Sequence, residues 1–170
     1  RRHFAPFSSS LNDESGNENK IAFEDFGNGG IFDEAKIGTN ILIQDEKNPS
    51  LKIGFEICED LWVPLAPSTN TALLGATITA NLSASNEIVG KASYRRTLVS
   101  AQSAKNISAY IYANAGNSES TTDLVFSGHS IIAENGTILA EKKPFEDKIL
   151  YAEIDFERLS HERIKTTTFA

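Results

Sequence analysis

Three short apolar runs set apart by a helix-length stretch constrain this chain more than any other feature. Leu51–Cys58 (LKIGFEIC), Ala76–Leu82 (ATITANL) and Ala109–Ala113 (AYIYA) are of strand length. Between the second and third, Gly90–Asn106 places Tyr94, Leu98 and Ala101 at i, i+4 and i+7, one stripe of a helix. Leu51–Cys58 alternates, with Ile53, Phe55 and Ile57 on one face and Lys52, Gly54, Glu56 and Cys58 on the other. Ile41–Ile43 is a further brief strand, closed by the turn-rich DEKNPS. Downstream, His129–Glu134 and Thr137–Glu141 flank Asn135-Gly136, the strongest short-range hairpin signal. Ile149–Ile154 reads as a last strand and Phe156–Arg163 as a terminal helix. Strands joined by helices, followed by consecutive strands and a hairpin, predict a layered α/β unit with a mixed sheet.

The front of the chain is different. Residues 8–20 (SSSLNDESGNENK) are polar without hydrophobic period and read as an exposed loop. Gly27, Gly29 and Gly30 mark a turn, but GNGG lacks the spacing and the basic residue of a phosphate loop. The chain has 170 residues and is 40% hydrophobic, enough for a sizeable core. Its net charge of -7 argues against a nucleic-acid or anionic-membrane surface, which would call for a basic patch. No apolar run approaches the ~20 residues needed to cross a bilayer. A single cysteine excludes an internal disulfide framework and fits a reducing, cytoplasmic compartment. A start at Arg1-Arg2 with no methionine anywhere raises the expectation that the chain is a piece of something longer.

The chemistry centres on Cys58. A lone cysteine at a strand end is commonly a small buried hydrophobe. Here Glu56, Glu59 and Asp60 surround it in sequence, a setting a catalytic thiol can use if a carboxylate acts as base and a cation offsets the field. Both readings stand on the residues alone. Metal binding is a poor alternative, because His3, His129 and His161 are scattered and none sits at ligand spacing from Cys58. His129, beside a hairpin strand, reads as structural.

Gly54–Trp62 (GFEICEDLW) resembles the nucleophile motif of the nitrilase, or carbon–nitrogen hydrolase, superfamily. Asn81–Arg96 (NLSASNEIVGKASYRR), Ala113–His129 (ANAGNSESTTDLVFSGH) and Ile131–Glu141 (IIAENGTILAE) resemble one branch of it, the glutaminase domains of glutamine-dependent NAD synthetases. The resemblance implies a four-layer αββα sandwich and a Glu-Lys-Cys triad in which Cys58 is the nucleophile. It implies an oxyanion hole that includes the Glu59 N–H, with Glu59 itself placed to face the substrate amine. Ser85 and Lys91 match positions that hold L-glutamine. Lys91 departs from the arginine expected there, offering a point charge in place of a bidentate fork. Without the resemblance, Ser85 reads as a loop serine and Lys91 and Glu59 as solvated helix-start charges.

The same resemblance places the triad glutamate and lysine in motifs that residues 1–170 do not match, so the chain is expected to be the C-terminal major part of the domain, incomplete at its N-terminal end and inactive alone. It further implies that the ammonia released serves a separate synthetase domain that amidates deamido-NAD with ATP and magnesium. No cofactor is expected in this segment, and a homo-oligomer is expected. Two other readings are a stand-alone nitrilase-type amidase or carbamoylase, and a non-catalytic α/β interaction module with Cys58 as core packing.

Overall fold

A computed structural model describes residues 40–169 and, before them, only two short strands. The chain divides into two compact units, 1–41 and 42–170. In the first, β1 (Lys20–Ala22) pairs antiparallel with β2 (Glu34–Lys36), Ile21 opposite Ala35. The polar segment before Lys20 and the glycine turn at 27–30 lie outside the described residues.

The second unit is built on a six-stranded sheet whose spatial order follows the chain: β3 (Leu42–Gln44), β4 (Lys52–Ile57), β5 (Ile78–Ser83), β6 (Ala109–Asn114), β7 (Ser130–Glu134) and β8 (Thr137–Lys142). The three central strands β4, β5 and β6 are parallel, and β3, β7 and β8 run antiparallel to their neighbours. Parallel neighbours need a crossover, and helices supply it. α1 (Pro67–Leu73) connects β4 to β5, and α2 (Lys91–Asn106) connects β5 to β6. α3 (Phe156–Lys165) ends the unit, with the Asp155 carboxylate accepting the Arg158 N–H at 2.8 Å as its N-cap. The β7–β8 turn has positive φ at Asn135 (44°) and Gly136 (86°), the requirement that makes Asn-Gly a hairpin signal.

Cross-strand register sorts the side chains into two faces. One carries the rows Gly54–Thr79–Tyr110–Ala133 and Glu56–Asn81–Tyr112–Ile131. Tyr110, Tyr112, Ile131 and Ala133 pack there with Val99 of α2 and with Leu61 into one core cluster. Gly54 is needed for close approach of α1, since a Cβ there would lie 2.7 Å from Thr71 Oγ1. The other face carries Ile53–Ile78–Ala109 and Phe55–Ala80–Ile111, and α3 covers part of it through Leu159, which packs with Ile78 and Ala109.

Two expectations change, and one helix went unread. Ile149–Ile154 forms no strand: Ile154 packs near Leu159, and the Asp155 N–H donates to Glu134 Oε2 at 2.9 Å, so the segment delivers α3 to the sheet. α1 had no apolar stripe to reveal it, because its buried residues are Ser68, Thr71 and Ala72. The buried stripe of α2 is Arg95, Val99, Gln102, Ser103 and Asn106, while Tyr94 is exposed. The helix is turned because polar partners in neighbouring elements bind its polar residues, as when Gln102 donates to Ser68 Oγ of α1 at 2.9 Å.

Candidate active site around Cys58

The carboxyl ends of the parallel strands gather the candidate residues, as open α/β sheets commonly do. β4 stops at Ile57, and Cys58 opens a short 3₁₀ turn, Cys58–Trp62. Cys58 has φ 49°, in the left-handed region, where an L-residue pays about 1–2 kcal/mol. Local hydrogen bonds hold the corner. The Asp60 carboxylate accepts the Ile57 N–H at 3.0 Å, and Asn81 Oδ1 on β5 accepts the Cys58 N–H at 3.1 Å. Cys58 is half-buried.

Glu56 does not simply crowd the thiol, as its place in the sequence suggested. Its buried carboxylate accepts the Ser68 N–H at 2.8 Å, the Tyr110 hydroxyl, and Asn81 Nδ2 at 3.4 Å. Burial, and then the Glu56 charge, push the Tyr110 hydroxyl well above its ordinary pKa, so it remains a proton donor to that carboxylate.

Lys91, at the start of α2, donates to Asn86 Oδ1 at 2.5 Å and stands 5.5 Å from the centroid of the Trp62 ring. Partial burial and the neighbouring Arg95 lower its pKa, while Cys58, Glu87 and Glu59 act in the opposite direction. The fold therefore brings Lys91, Cys58 and the exposed Glu59 within electrostatic reach of one another. Ser85, past the end of β5, is buried and held at both backbone groups by Asn114. Asn114 Oδ1 accepts its N–H at 2.8 Å, and Asn114 Nδ2 donates to its carbonyl at 3.1 Å.

Ser85 joins the group through Arg95, a residue the sequence reading passed over. Fully buried, Arg95 donates to Glu87 Oε2 at 3.1 Å, His129 Nδ1 at 2.6 Å and Ser85 Oγ at 3.4 Å. A guanidinium has only donors, so His129 Nδ1 accepts and its Nε2–H donates to Glu141 Oε1 at 3.0 Å. Burial, followed by the Arg95 charge, lowers the His129 pKa to about 4, keeping the ring neutral as this pattern requires. Ser127 Oγ adds a 2.5 Å bond to Glu87. His129 is thus a structural member of a polar core, in keeping with its expected role. Polar letters inside apolar or helical runs, Asn81 in ATITANL and Arg95 in SYRR, were the signals available for the missed residues. Among the described residues, no cluster of three or more His, Cys, Asp or Glu could hold a metal ion, and no helix is long and apolar enough to cross a membrane.

Chemically, the arrangement presents a thiol at a strained strand-to-turn corner within electrostatic reach of the Lys91 ammonium. Glu59 follows Cys58 as the second residue of the 3₁₀ turn.

Known proteins share this sequence and fold. The chain is 43% identical over 138 residues to a glutamine-dependent NAD(+) synthetase of Mycobacterium tuberculosis, covering 80% of this chain and 20% of that protein. It therefore spans about one fifth of the length of that relative. In structure it is similar to Saccharomyces cerevisiae Nit3, a member of branch 10 of the nitrilase superfamily. The TM-score is 0.63 at 23% identity, covering 79% of this chain and 47% of that one. A glutamine-dependent NAD+ synthetase from Acinetobacter baumannii, solved with ADP, gives 0.62 at 24% identity, covering 79% and 26%. The fold is accordingly nitrilase-like, with the second unit supplying a six-stranded sheet and its helices. The carbon-nitrogen hydrolase family model matches residues 11–163, nearly the whole chain, and the chain belongs to that family.

Proposed function

We propose that Cys58 is the nucleophile of a glutaminase unit of glutamine-dependent NAD synthetase type. The observation that carries the reading is the left-handed Cys58 corner, which opens the 3₁₀ turn at the carboxyl end of β4. The names of the relatives at 43% identity support glutamine as substrate. In the proposed reaction the thiolate attacks the side-chain amide carbon of L-glutamine. The C–N bond breaks as the nitrogen takes up the proton that the thiol gave up, ammonia leaves, and water then cleaves the thioester to release glutamate and the thiol. The Glu59 N–H stabilises the oxyanion. Lys91 and Ser85 receive the amino-acid head group, Lys91 as a point charge for the carboxylate, and Glu59 faces the substrate amine. A separate ATP- and magnesium-dependent synthetase domain consumes the ammonia, converting deamido-NAD to NAD, and the assembled protein is a homo-oligomer. Residues 1–170 contain no match to the triad glutamate and lysine motifs, so the chain alone is expected to turn over glutamine poorly.

A test independent of turnover is covalent capture. A chloroketone analogue of glutamine is expected to alkylate Cys58, located by mass spectrometry of peptides, and L-glutamine is expected to slow the labelling where L-lysine does not. Labelling of Cys58 that neither amino acid slows would overturn glutamine recognition. No labelling of Cys58 by this reagent, while small alkylating agents reach it, would overturn the assignment as well.

A further inference from the structure

We infer that Asn81 is the positioning residue that holds Cys58 in its left-handed conformation, and that Glu56 and Tyr110 fix the direction in which the Asn81 amide faces. Three observations carry this. Asn81 contacts both backbone polar groups of Cys58: Oδ1 accepts the Cys58 N–H at 3.1 Å, and Nδ2 lies 3.4 Å from the Cys58 carbonyl oxygen. Cys58 is a non-glycine residue at φ 49°, a conformation that persists where its surroundings over-determine it. The amide direction follows from its other partners. The Tyr110 hydroxyl gives its proton to Glu56, so its oxygen accepts from Asn81 Nδ2 at 3.0 Å. Nδ2 also faces the Glu56 carboxylate at 3.4 Å, an acceptor-only group. A flipped amide would set its oxygen against these acceptors. Oδ1 is thereby turned to the Cys58 N–H, and the Ser83 hydroxyl donates to it at 2.6 Å.

A chain of buried donors and acceptors thus runs from Ser68 through Glu56, Tyr110 and Asn81 to the nucleophile corner. All four are nearly inaccessible to solvent. The mechanism proposed above leaves Glu56 and Asn81 without a chemical step, and positioning accounts for their burial. The inference deepens that proposal, which names Cys58 as the nucleophile, but its test does not depend on glutamine.

The test compares alkylation of Cys58 in the folded full chain by a neutral reagent, iodoacetamide, and an anionic one, iodoacetate. Their rate ratio cancels the fraction of thiolate and reads the local charge at the sulfur, where Lys91 is the nearby cation. If Asn81 sets the corner, Asn81→Leu lets Cys58 relax toward extended φ, and the iodoacetate-to-iodoacetamide ratio changes several-fold. Tyr110→Phe, which removes the hydroxyl that accepts from Asn81 and changes no charge, shifts it in the same direction by less. Ile78→Val, a core change on the opposite face, should lower Tm and leave the ratio alone. Should Asn81→Leu fail to fold, Ser83→Ala, which removes one donor to Oδ1, and Asn81→Ala, which removes the amide without adding a charge, serve instead. A wild-type ratio in folded Asn81 and Tyr110 variants overturns the inference. If the ratio moves while the glutamine chloroketone fails to label Cys58, the positioning role stands and the glutaminase reading falls.

Discussion

The two faces of the six-stranded sheet invert the usual expectation of what a protein buries. Under α1 and α2, the covered face holds Glu56, Asn81 and Tyr110, and Arg95 and His129 lie buried in the same layer. On the opposite face, apolar side chains remain open: Ile57 is 56% exposed and Leu82 58% exposed. Burial here tracks whether a layer of the described residues packs over a position, and hydrophobicity does not decide it. The charged groups on the covered face are paired there, Arg95 with Glu87, His129 and Ser85, and Glu56 with Ser68, Tyr110 and Asn81. The candidate site sits at the end of that covered face, so its geometry inherits the rigidity of a hydrogen-bonded core.

The contrast predicts a steep gradient of mutational cost across one sheet. The largest effect is expected at Arg95. Arg95→Met leaves the Glu87 carboxylate without its buried cation and should cost about 3–5 kcal/mol of unfolding free energy in a urea titration. A cost below 1 kcal/mol would break the view that ionic pairing holds this face together.

Next is the pH response of His129. Its pKa in the fold, about 4, lies below the ordinary 6.5, so the unfolded chain binds more protons between those values. The contribution is therefore fully present above pH 6.5 and is lost progressively as pH falls toward 4, by at most roughly 3 kcal/mol. Urea midpoints across that window measure it, and His129→Gln, which retains a donor and an acceptor without titrating, is expected to flatten this part of the slope. The smallest effect belongs to the open face. Leu82→Ser should change the stability of this chain by no more than about 0.5 kcal/mol, as at other exposed positions. A large loss there would show that the open apolar face is packed in solution.

Much of the fold was legible because it rests on local patterns. The alternation of LKIGFEIC, the Asn135-Gly136 turn and the helix after Gly90 correspond to β4, the β7–β8 hairpin and α2. Two of the misreadings share one cause. Sequence periodicity assumes that buried means apolar, and on the covered face this fails. α1 was invisible because Ser68 and Thr71 are its buried residues, and the stripe of α2 was misplaced because Arg95 and Gln102 face inward. At the candidate site, Cys58, Glu59, Ser85 and Lys91 stood out through motifs. Arg95, Asn81 and Glu56 are defined by partners that the fold brings to them, such as Tyr110, 29 positions from Asn81.

By itself, the sequence determined the six strands of the larger sheet, α2, α3, the hairpin, and the family to which the GFEICEDLW motif points, because each is written in neighbouring residues. Tertiary structure alone decided which face of each strand is buried, that Cys58 takes a left-handed corner, and that the Glu56 carboxylate is engaged by buried donors and not left beside the thiol. The physical reason is that the free energy of a buried polar group depends on whether a partner meets it across the fold, and a partner 29 or more residues away leaves no periodic trace in the chain.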